Sequence, residues 1–322
     1  MSGEFDVIKK YLRPLADNDL ALNLEDDVAL LPKSLDGEII CSSDVIASDV
    51  HFFKNDSPAL IAKKLLRVNI SDIAAKSVRP NAYMLNLSLP SFVDEAWIAD
   101  FCKGLAEDQE LYDISLLGGD IVATKNDLVL GATIFGEADS GAFVKRSGAN
   151  IGDIIFVTGA IGDAYLGLKI LLGEFTSEIA DKSFINRYHL PRPRVALADR
   201  LKDFASSASD VSDGLLADLQ NILVASKKAA SVDLDKVPIS AMAEIHVAEN
   251  PALFNEMIVA GDDYEIIFTA DPRFSDEIIL LAEKLNLPIS AIGTISEGEG
   301  LSFSGKKSES FDVTKFGFEH KY

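Results

Sequence analysis

Cys41-Ser42-Ser43-Asp44-Val45-Ile46-Ala47-Ser48-Asp49-Val50-His51-Phe52 is the stretch on which the reading of this chain turns. It grows out of the apolar run Glu38-Ile39-Ile40-Cys41, which reads as a strand, and then sets serine hydroxyls, Asp44, Asp49 and His51 close together. A strand emptying into such a cluster is expected to present oxygen ligands at its end, and Mg²⁺ is the common cation for them. Three other places could complete a site: Asp26-Asp27 upstream, Asp72 in Asn69-Ile70-Ser71-Asp72, and Asp120 in Gly118-Gly119-Asp120. The expectation is a fold that brings these four places together around metal-bound phosphate.

At 322 residues the chain exceeds the size at which one core usually stops growing, so two domains are expected. A hydrophobic content of 48% is enough to fill both. The 51 acidic residues outnumber the 30 basic ones, for a net charge of −21, which argues against nucleic acid and anionic membranes as partners. Phosphate handling is compatible with that charge when divalent cations invert the local electrostatics. Most of the carboxylates belong to a solvated surface. Cys41 and Cys102 have neither metal-ligand spacing nor the numbers for a disulfide framework. Met1 is followed by acidic and polar residues rather than a signal-peptide pattern, and no apolar run approaches the roughly 20 residues of a membrane span. A cytoplasmic protein is expected.

Phe5, Ile8 and Leu12 share a helical face, and Asp27–Leu31 reads as a strand closed by Pro32. Ser57-Pro58 reads as an N-cap and N1 proline opening a long helix through Leu60, Ile61, Leu65, Val68 and Ile73. Strands are expected at 82–89, 114–117 and 128–135, with a helix capped by Asp94 through Trp97, Phe101 and Leu105. Composition shifts at Ser140-Gly141 and Ser147–Asn150, so the expected domains are 1–140 and 141–322. The second half restarts with a strand at 153–158 and a glycine-bearing turn into a helix around Leu166–Leu171. Pro191–Arg194 opens another helix, and Ser209–Asp213 leads into one around Leu215–Ile222. A strand at 264–269, a helix near 275–285 and a strand at 288–295 follow, with Gly305–Ser308 as a solvated loop. This is a mixed α/β architecture.

Common nucleotide motifs fail. Gly300 to Gly305-Lys306 has P-loop spacing, but Lys307 stands where Ser or Thr must reach Mg²⁺. No glycine fingerprint follows a strand, the four histidines do not pair at metal spacing, and no serine elbow appears. Acids at strand ends remain. Asp26-Asp27 and Ser42-Ser43-Asp44 are weak signals alone, and Gly118-Gly119-Asp120 permits close backbone approach to a ligand. Asp210-Val211-Ser212-Asp213-Gly214 is stronger, because capping explains one of its polar groups but not all three.

In this order and spacing the pieces resemble the thiamine-monophosphate kinase family, of the superfamily that includes aminoimidazole ribonucleotide synthetase, selenophosphate synthetase and a hydrogenase-maturation ATPase. The segments are Gly3-Glu4-Phe5, Asp26–Leu31, Ser42-Ser43-Asp44 with His51-Phe52, Val68–Ala75, Asp94–Trp97, Gly118-Gly119-Asp120 and Arg146–Ala149. They continue with Val157-Thr158-Gly159, Gly162-Asp163, Pro193-Arg194, Asp210–Leu215 and Gly261–Glu265. The resemblance implies ATP-dependent phosphorylation of thiamine monophosphate to thiamine diphosphate, in a two-domain protein whose amino-terminal sheet pairs in a homodimer. It implies that Asp27, Ser42, Ser43, Asp44, Asp72, Asp120, Asp210 and Asp213 hold several Mg²⁺ ions. Tyr112, Gly119, Asp120, Arg146 and Ser212 would contact ATP, and His51, Asp262 and Phe318 the thiamine phosphate. Asp44, Asp72, Asp120, Asp210 and Arg146 would form the catalytic set. Clustered metals suit phosphoryl transfer, which needs positioning and charge neutralisation more than a protein nucleophile. Arg146 suits a phosphate clamp through its planar fork.

The chain departs from the family pattern in places. The family usually has glycine at Glu25, threonine at Ser43, Met-Gly-Ala at Lys76-Ser77-Val78, and Gly-Gly-Glu-Asp at Ala260-Gly261-Asp262-Asp263. Asp262 is one methylene short of the family's glutamate, which puts the acceptor pocket in question. Two other readings are a superfamily ATP enzyme with a different acceptor, and a nucleotide-binding protein without turnover.

Overall fold

The computed structural model describes residues 8–16, 18, 20, 21, 31, 37–177, 181–311 and 317. Phe5, Asp26, Asp27, the expected strand at 27–31 up to Leu30, and Phe318 lie outside the described residues. The chain divides into two compact units, Met1–Ala74 with Val78–Ala142, and Ala75–Ser77 with Phe143–Tyr322.

The first unit runs β1 (Gly37–Ala47), α1 (Pro58–Ala75), β2 (Arg79–Pro90), α2 (Glu95–Tyr112), β3 (Ser115–Thr124) and β4 (Val129–Asp139). Its four-stranded sheet has the order β1-β4-β2-β3. β2 and β3 are parallel, as a crossover through α2 requires, while β4 is antiparallel to both β1 and β2. α1 buries most of its circumference, including Leu65, Asn69, Ile70 and Ser71. It lies so close to α2 that a Cβ on Gly104 would meet the backbone of Ala59. Asp94 caps α2 by accepting from Trp97 N at 2.8 Å, as expected. Ser57 does not cap α1 in the expected way. Its hydroxyl donates to Asp100 Oδ2 of α2 at 3.0 Å, and the same oxygen takes Ala59 N at 3.2 Å. The cap is borrowed from the neighbouring helix.

Two strand ends differ from expectation. β1 does not stop before Ser42-Ser43-Asp44 but pairs with β4 over all eleven of its residues. Likewise Gly118-Gly119-Asp120 lies inside β3, opposite Met84-Leu85-Asn86 of β2. In both cases the partner strand supplies the hydrogen bonds that keep a polar segment extended. Gly119 is needed there, because a Cβ would stand 2.7 Å from the Leu85 carbonyl carbon and overlap its oxygen.

The second unit contains β5 (Ile154–Thr158), α3 (Asp163–Leu171), α4 (Asp181–His189), α5 (Val195–Leu201), β6 (Ala205–Asp210), α6 (Leu215–Ser226) and β7 (Ala229–Asp233). After these come α7 (Ala241–Glu249), α8 (Ala252–Val259), β8 (Ile266–Ala270), α9 (Ser275–Leu285), β9 (Ile289–Ser296) and β10 (Gly300–Ser304). The six-stranded sheet has the order β10-β7-β9-β5-β8-β6. Ile155 and Val157 of β5 share one core with Leu215, Leu216, Leu219 and Ile222 of α6 and with Ile267 and Ile292. Residues 75–77 belong here through Lys76 Nζ, which donates to Ala208 O at 2.7 Å, and Ser77 Oγ, which donates to Ala198 O at 2.5 Å. Ser77 has φ +63, so the position where the family carries glycine keeps a left-handed backbone. The expected loop at Gly305–Ser308 is instead part of a 3₁₀ turn at Lys306–Ser310, whose Lys306 and Lys307 amides bond Asp235 at 2.7 and 3.0 Å. Among the described residues, no helix is long and apolar enough to cross a membrane.

Candidate functional site

In the first unit, strand alternation sorts the polar cluster of β1 onto two faces. Ser42 and Asp44 share the face toward α1. Ser42 Oγ donates to Asp72 Oδ2 at 2.6 Å, and Asp44 N donates to Asn69 Oδ1 at 2.9 Å. Asn69, wholly buried, is itself fixed by donating to Leu65 O at 2.9 Å. Ser43 points the other way, bonding Ala132 O at 3.1 Å and Thr133 Oγ1 at 2.9 Å, so it is not brought to Asp72. Asp120 is exposed on β3, at the opposite edge of the sheet from β1. Three strand spacings separate those edges, about 14 Å. Among the described residues, no group of three or more Asp, Glu, His or Cys side chains forms a metal cluster.

His51 folds back on the end of β1. Its Nδ1 accepts from Ala47 N at 3.1 Å, while its own amide donates to Ala47 O at 3.0 Å. Tyr112, half-buried at the end of α2, lies under the Arg67 guanidinium at 5.7 Å. Arg67 in turn forms a two-point bond to Asp108, with Nε–Oδ2 at 2.7 Å and Nη2–Oδ1 at 2.8 Å. Tyr112 therefore sits on the packing between α1 and α2.

In the second unit, two loops meet at the ends of β6 and β8. Asp210 is the last residue of β6 and is 2% exposed, whereas Asp213 is exposed and Ser212 half-buried. Val211 N donates to Glu265 O at 2.8 Å, Tyr264 N donates to Val211 O at 2.8 Å, and Asp262 N donates to Ser212 O at 2.9 Å. The approach is tight enough that a Cβ on Gly261 would overlap the Ser212 carbonyl oxygen. Asp262 and Tyr264 both have positive φ, +73 and +51, and the Tyr264 hydroxyl donates to Asp262 Oδ1 at 3.2 Å. Arg146 is exposed and donates from Nε to Ser209 Oγ at 3.2 Å, one residue before Asp210.

Sequence reasoning missed the buried residues that hold these loops. Asp263 is fully buried and takes Gly162 N on both oxygens at 2.9 Å. Burial pushes its carboxyl well above the usual range, against the pull of the Gly162 amide and the Arg187 charge. Glu265, also fully buried, accepts from Thr158 Oγ1 at 2.7 Å, Arg187 Nη2 at 2.9 Å and Arg194 Nε at 2.6 Å, and from Arg194 Nη2 as well. Asp218 of α6 is buried completely and accepts both Ser212 N and Asp213 N on Oδ2 at 3.0 Å. Burial raises its carboxyl to about 7, with the Asp213 amide pulling down and the Asp213 charge pushing up. A signal for Asp218 was present: it is a lone acid inside the apolar helical pattern of Leu215, Leu216, Leu219 and Ile222. An open cavity of about 480 Å³ lies elsewhere in this unit, lined by Asp153, Lys202, Phe204 and Arg273 among others, and holds none of the candidate residues.

The AIR synthase related protein family matches the chain twice, its N-terminal domain over residues 25–138 and its C-terminal domain over residues 150–306. The thiamine-monophosphate kinase of Caulobacter vibrioides is 42% identical over 303 residues, covering 93% of this chain and 86% of the relative. The crystal structure of thiamine-monophosphate kinase from Stenotrophomonas maltophilia K279a has a TM-score of 0.85 at 37% identity, covering 95% of this chain and 98% of its own. AaThiL, solved in complex with AMPPCP and TMP, shares the fold over 100% of both chains, with a TM-score of 0.80 at 24% identity.

Proposed function

The chain belongs to the AIR synthase related family and, within it, to the thiamine-monophosphate kinases, and from that premise we propose a direct phosphoryl transfer. A phosphate oxygen of thiamine monophosphate attacks the terminal phosphorus of ATP, and thiamine diphosphate and ADP leave. The observation that carries the reading is the likeness to kinases of this acceptor along nearly the whole chain, through both family domains.

Mg²⁺ is the cation this reading calls for, and the donors suit it. Mg²⁺ commonly takes one or two carboxylates from protein and the rest of its shell from phosphate oxygens and water. Asp72, already bonded by Ser42, and the exposed Asp120 each offer such a carboxylate in the first unit. Asp44, fixed through Asn69, belongs to the same set, and Asp210 and Asp213 are the donors of the second unit. The cations, when bound, neutralise phosphate charge that the protein's net −21 would otherwise repel.

Arg146 would clamp phosphate oxygens with the Nη edge of its fork, held at Nε by Ser209. Tyr112, Gly119 and Ser212 would contact the nucleotide. His51, anchored to the end of β1 through Ala47, would meet the acceptor's phosphate. Asp262 would set its carboxylate against the cationic thiamine ring, oriented by Tyr264. A cytoplasmic setting follows from ATP as co-substrate. A homodimer through the first sheet is supported by the exposed row Ile39, Cys41, Ser43 and Val45 on one face of β1.

The test is release of ADP by the purified chain with Mg²⁺–ATP and, in turn, thiamine monophosphate, thiamine and an aminoimidazole ribonucleotide precursor. Release dependent on thiamine monophosphate is expected. Release with one of the other acceptors alone would move the chain to another superfamily chemistry, and release with none would leave a nucleotide-binding protein.

A further inference from the structure

The loop Val211-Ser212-Asp213-Gly214 enters α6 without an ordinary cap. Gly214, at the N-cap position, has no side chain to offer, and its φ of +120 suits the close passage of the Val259 carbonyl. The amides of Ser212 and Asp213 are satisfied instead from inside the helix. Asp218, one turn on, reaches back and accepts both on a single oxygen at 3.0 Å. Its other oxygen, Oδ1, is buried and has no hydrogen-bond partner among the described residues. Completely burying a carboxylate is costly unless hydrogen bonds offset the lost hydration, and the bonds it makes here are those two. Their effect is to draw the loop's backbone inward while Asp213 stays exposed. The same residue Ser212 then accepts Asp262 N through its carbonyl at 2.9 Å, so one carboxylate fixes the segment on which the second loop also leans.

We propose that Asp218 is a positioning residue: by clamping the consecutive amides of Ser212 and Asp213, it sets the segment that receives the nucleotide and its cation. This rests on the reading of Ser212 and Asp213 given above. Asp218 touches neither substrate nor metal, and acts through the two amides alone. Its contribution should therefore survive loss of its charge, provided an oxygen remains in place of Oδ2. It should not survive loss of that oxygen.

The experiment is calorimetric titration of the full chain with a non-hydrolysable ATP analogue and Mg²⁺, without acceptor, on four proteins: wild type, Asp218→Ala, Asp218→Asn and Asp235→Ala. Asp235 also accepts two consecutive amides, those of Lys306 and Lys307, but lies outside the proposed machinery, so it reports the general effect of losing such an anchor. Removing the acceptor of two buried amide bonds and leaving both amides unsatisfied should weaken binding about tenfold or more in Asp218→Ala. Asp218→Asn, whose amide oxygen can accept both N–H groups, should stay within about threefold of wild type. Asp235→Ala should lower the melting temperature and leave binding unchanged. Should Asp218→Ala fail to fold, Asp218→Asn against wild type still decides. Asp218→Asn losing as much affinity as expected for alanine would overturn the proposal, as would wild-type affinity in a folded Asp218→Ala. Absence of nucleotide binding in the wild type would instead strike the functional reading on which the proposal stands.

Discussion

Replacing Glu265 by glutamine tests whether the loop Asp262-Asp263-Tyr264 is held by buried charge. Glu265 is wholly buried and accepts from Thr158, Arg187 and Arg194, whose guanidinium-bearing side chains are themselves only 8% and 18% exposed. Arg187 Nη1 is buried with no hydrogen-bond partner among the described residues, so it has no slack with which to recover a lost bond. Glutamine keeps the volume but turns one acceptor oxygen into an NH₂ that faces N–H donors. Breaking a buried ion pair from one side costs about 3–5 kcal/mol, most of it the penalty of the charges left behind rather than the worth of the pair. For a unit of this size, that corresponds to a fall of roughly 10 °C in melting temperature. The site cannot collapse to relieve the mismatch. Gly159, at φ +63, lies so close that a Cβ there would overlap the Glu265 carboxylate, and Gly159→Ala should therefore damage the same network. Because Arg187 also donates to the Asp263 carbonyl at 3.2 Å, Glu265→Gln should raise the Michaelis constant for thiamine monophosphate more than that for ATP. Circular-dichroism melts and steady-state kinetics are the assays. A variant melting within about 3 °C of wild type would refute the argument, since that is under the roughly 1.5 kcal/mol such a shift represents.

Gly119→Ala should destabilise the first unit by about 1–3 kcal/mol or more, because its Cβ meets Leu85 backbone rather than a movable side chain; an unchanged denaturant midpoint would contradict the tight β2–β3 passage. Burial raises the Asp263 carboxyl, so the folded state holds that proton more tightly than the unfolded chain, whose carboxyl titrates near about 3.9. Its contribution is thus greatest in acid and is lost as pH rises through the folded-state value. The melting temperature of Asp263→Asn should accordingly depend less on pH between weak acid and neutrality than that of wild type, and parallel profiles would count against the assignment. Asp262→Ala should raise the Michaelis constant for thiamine monophosphate by about tenfold to a hundredfold, from loss of one charge-assisted bond, and leave that for ATP largely intact. An effect on ATP alone would remove Asp262 from the acceptor pocket.

The alternation of helices and strands was legible because it rests on local apolar periodicity. α1, α2, α6 and α9 carry it strongly, and their sequence positions follow from it. Strand ends were not legible, and the reason is specific. Ser42-Ser43-Asp44 and Gly118-Gly119-Asp120 read as polar exits, yet each stays extended because β4 or β2 offers a backbone partner along its length. That partner comes from far along the chain, where a window of ten residues cannot see it. β7 and β10 went unread for the same cause: Ala229–Asp233 and Gly300–Ser304 are only five residues each and pair in parallel across 71 positions, as Gly300 with Ala229 shows. Ser57 was read at the right position with the wrong partner, since nothing in its own sequence neighbourhood announces Asp100.

The candidate site shows the same division in terms of charge. In a chain with 51 acidic residues, an Asp at a strand end and an Asp on a solvated loop look alike. Sequence separated them only through motif order, and that procedure favours acids next to glycine or serine. It passes over acids whose work is to hold backbone. Asp218, Asp263 and Glu265 together accept the amides of Ser212, Asp213 and Gly162 and two guanidinium groups, and all three are fully buried. Asp213, Ser212 and Asp262, by contrast, are exposed or half-buried. Asp218, Asp263 and Glu265 fix two loops before any ligand arrives. Preorganisation of that kind lowers the ordering entropy that binding would otherwise have to overcome. The acids that hold these loops are marked by burial, and burial is the property a single sequence states least directly.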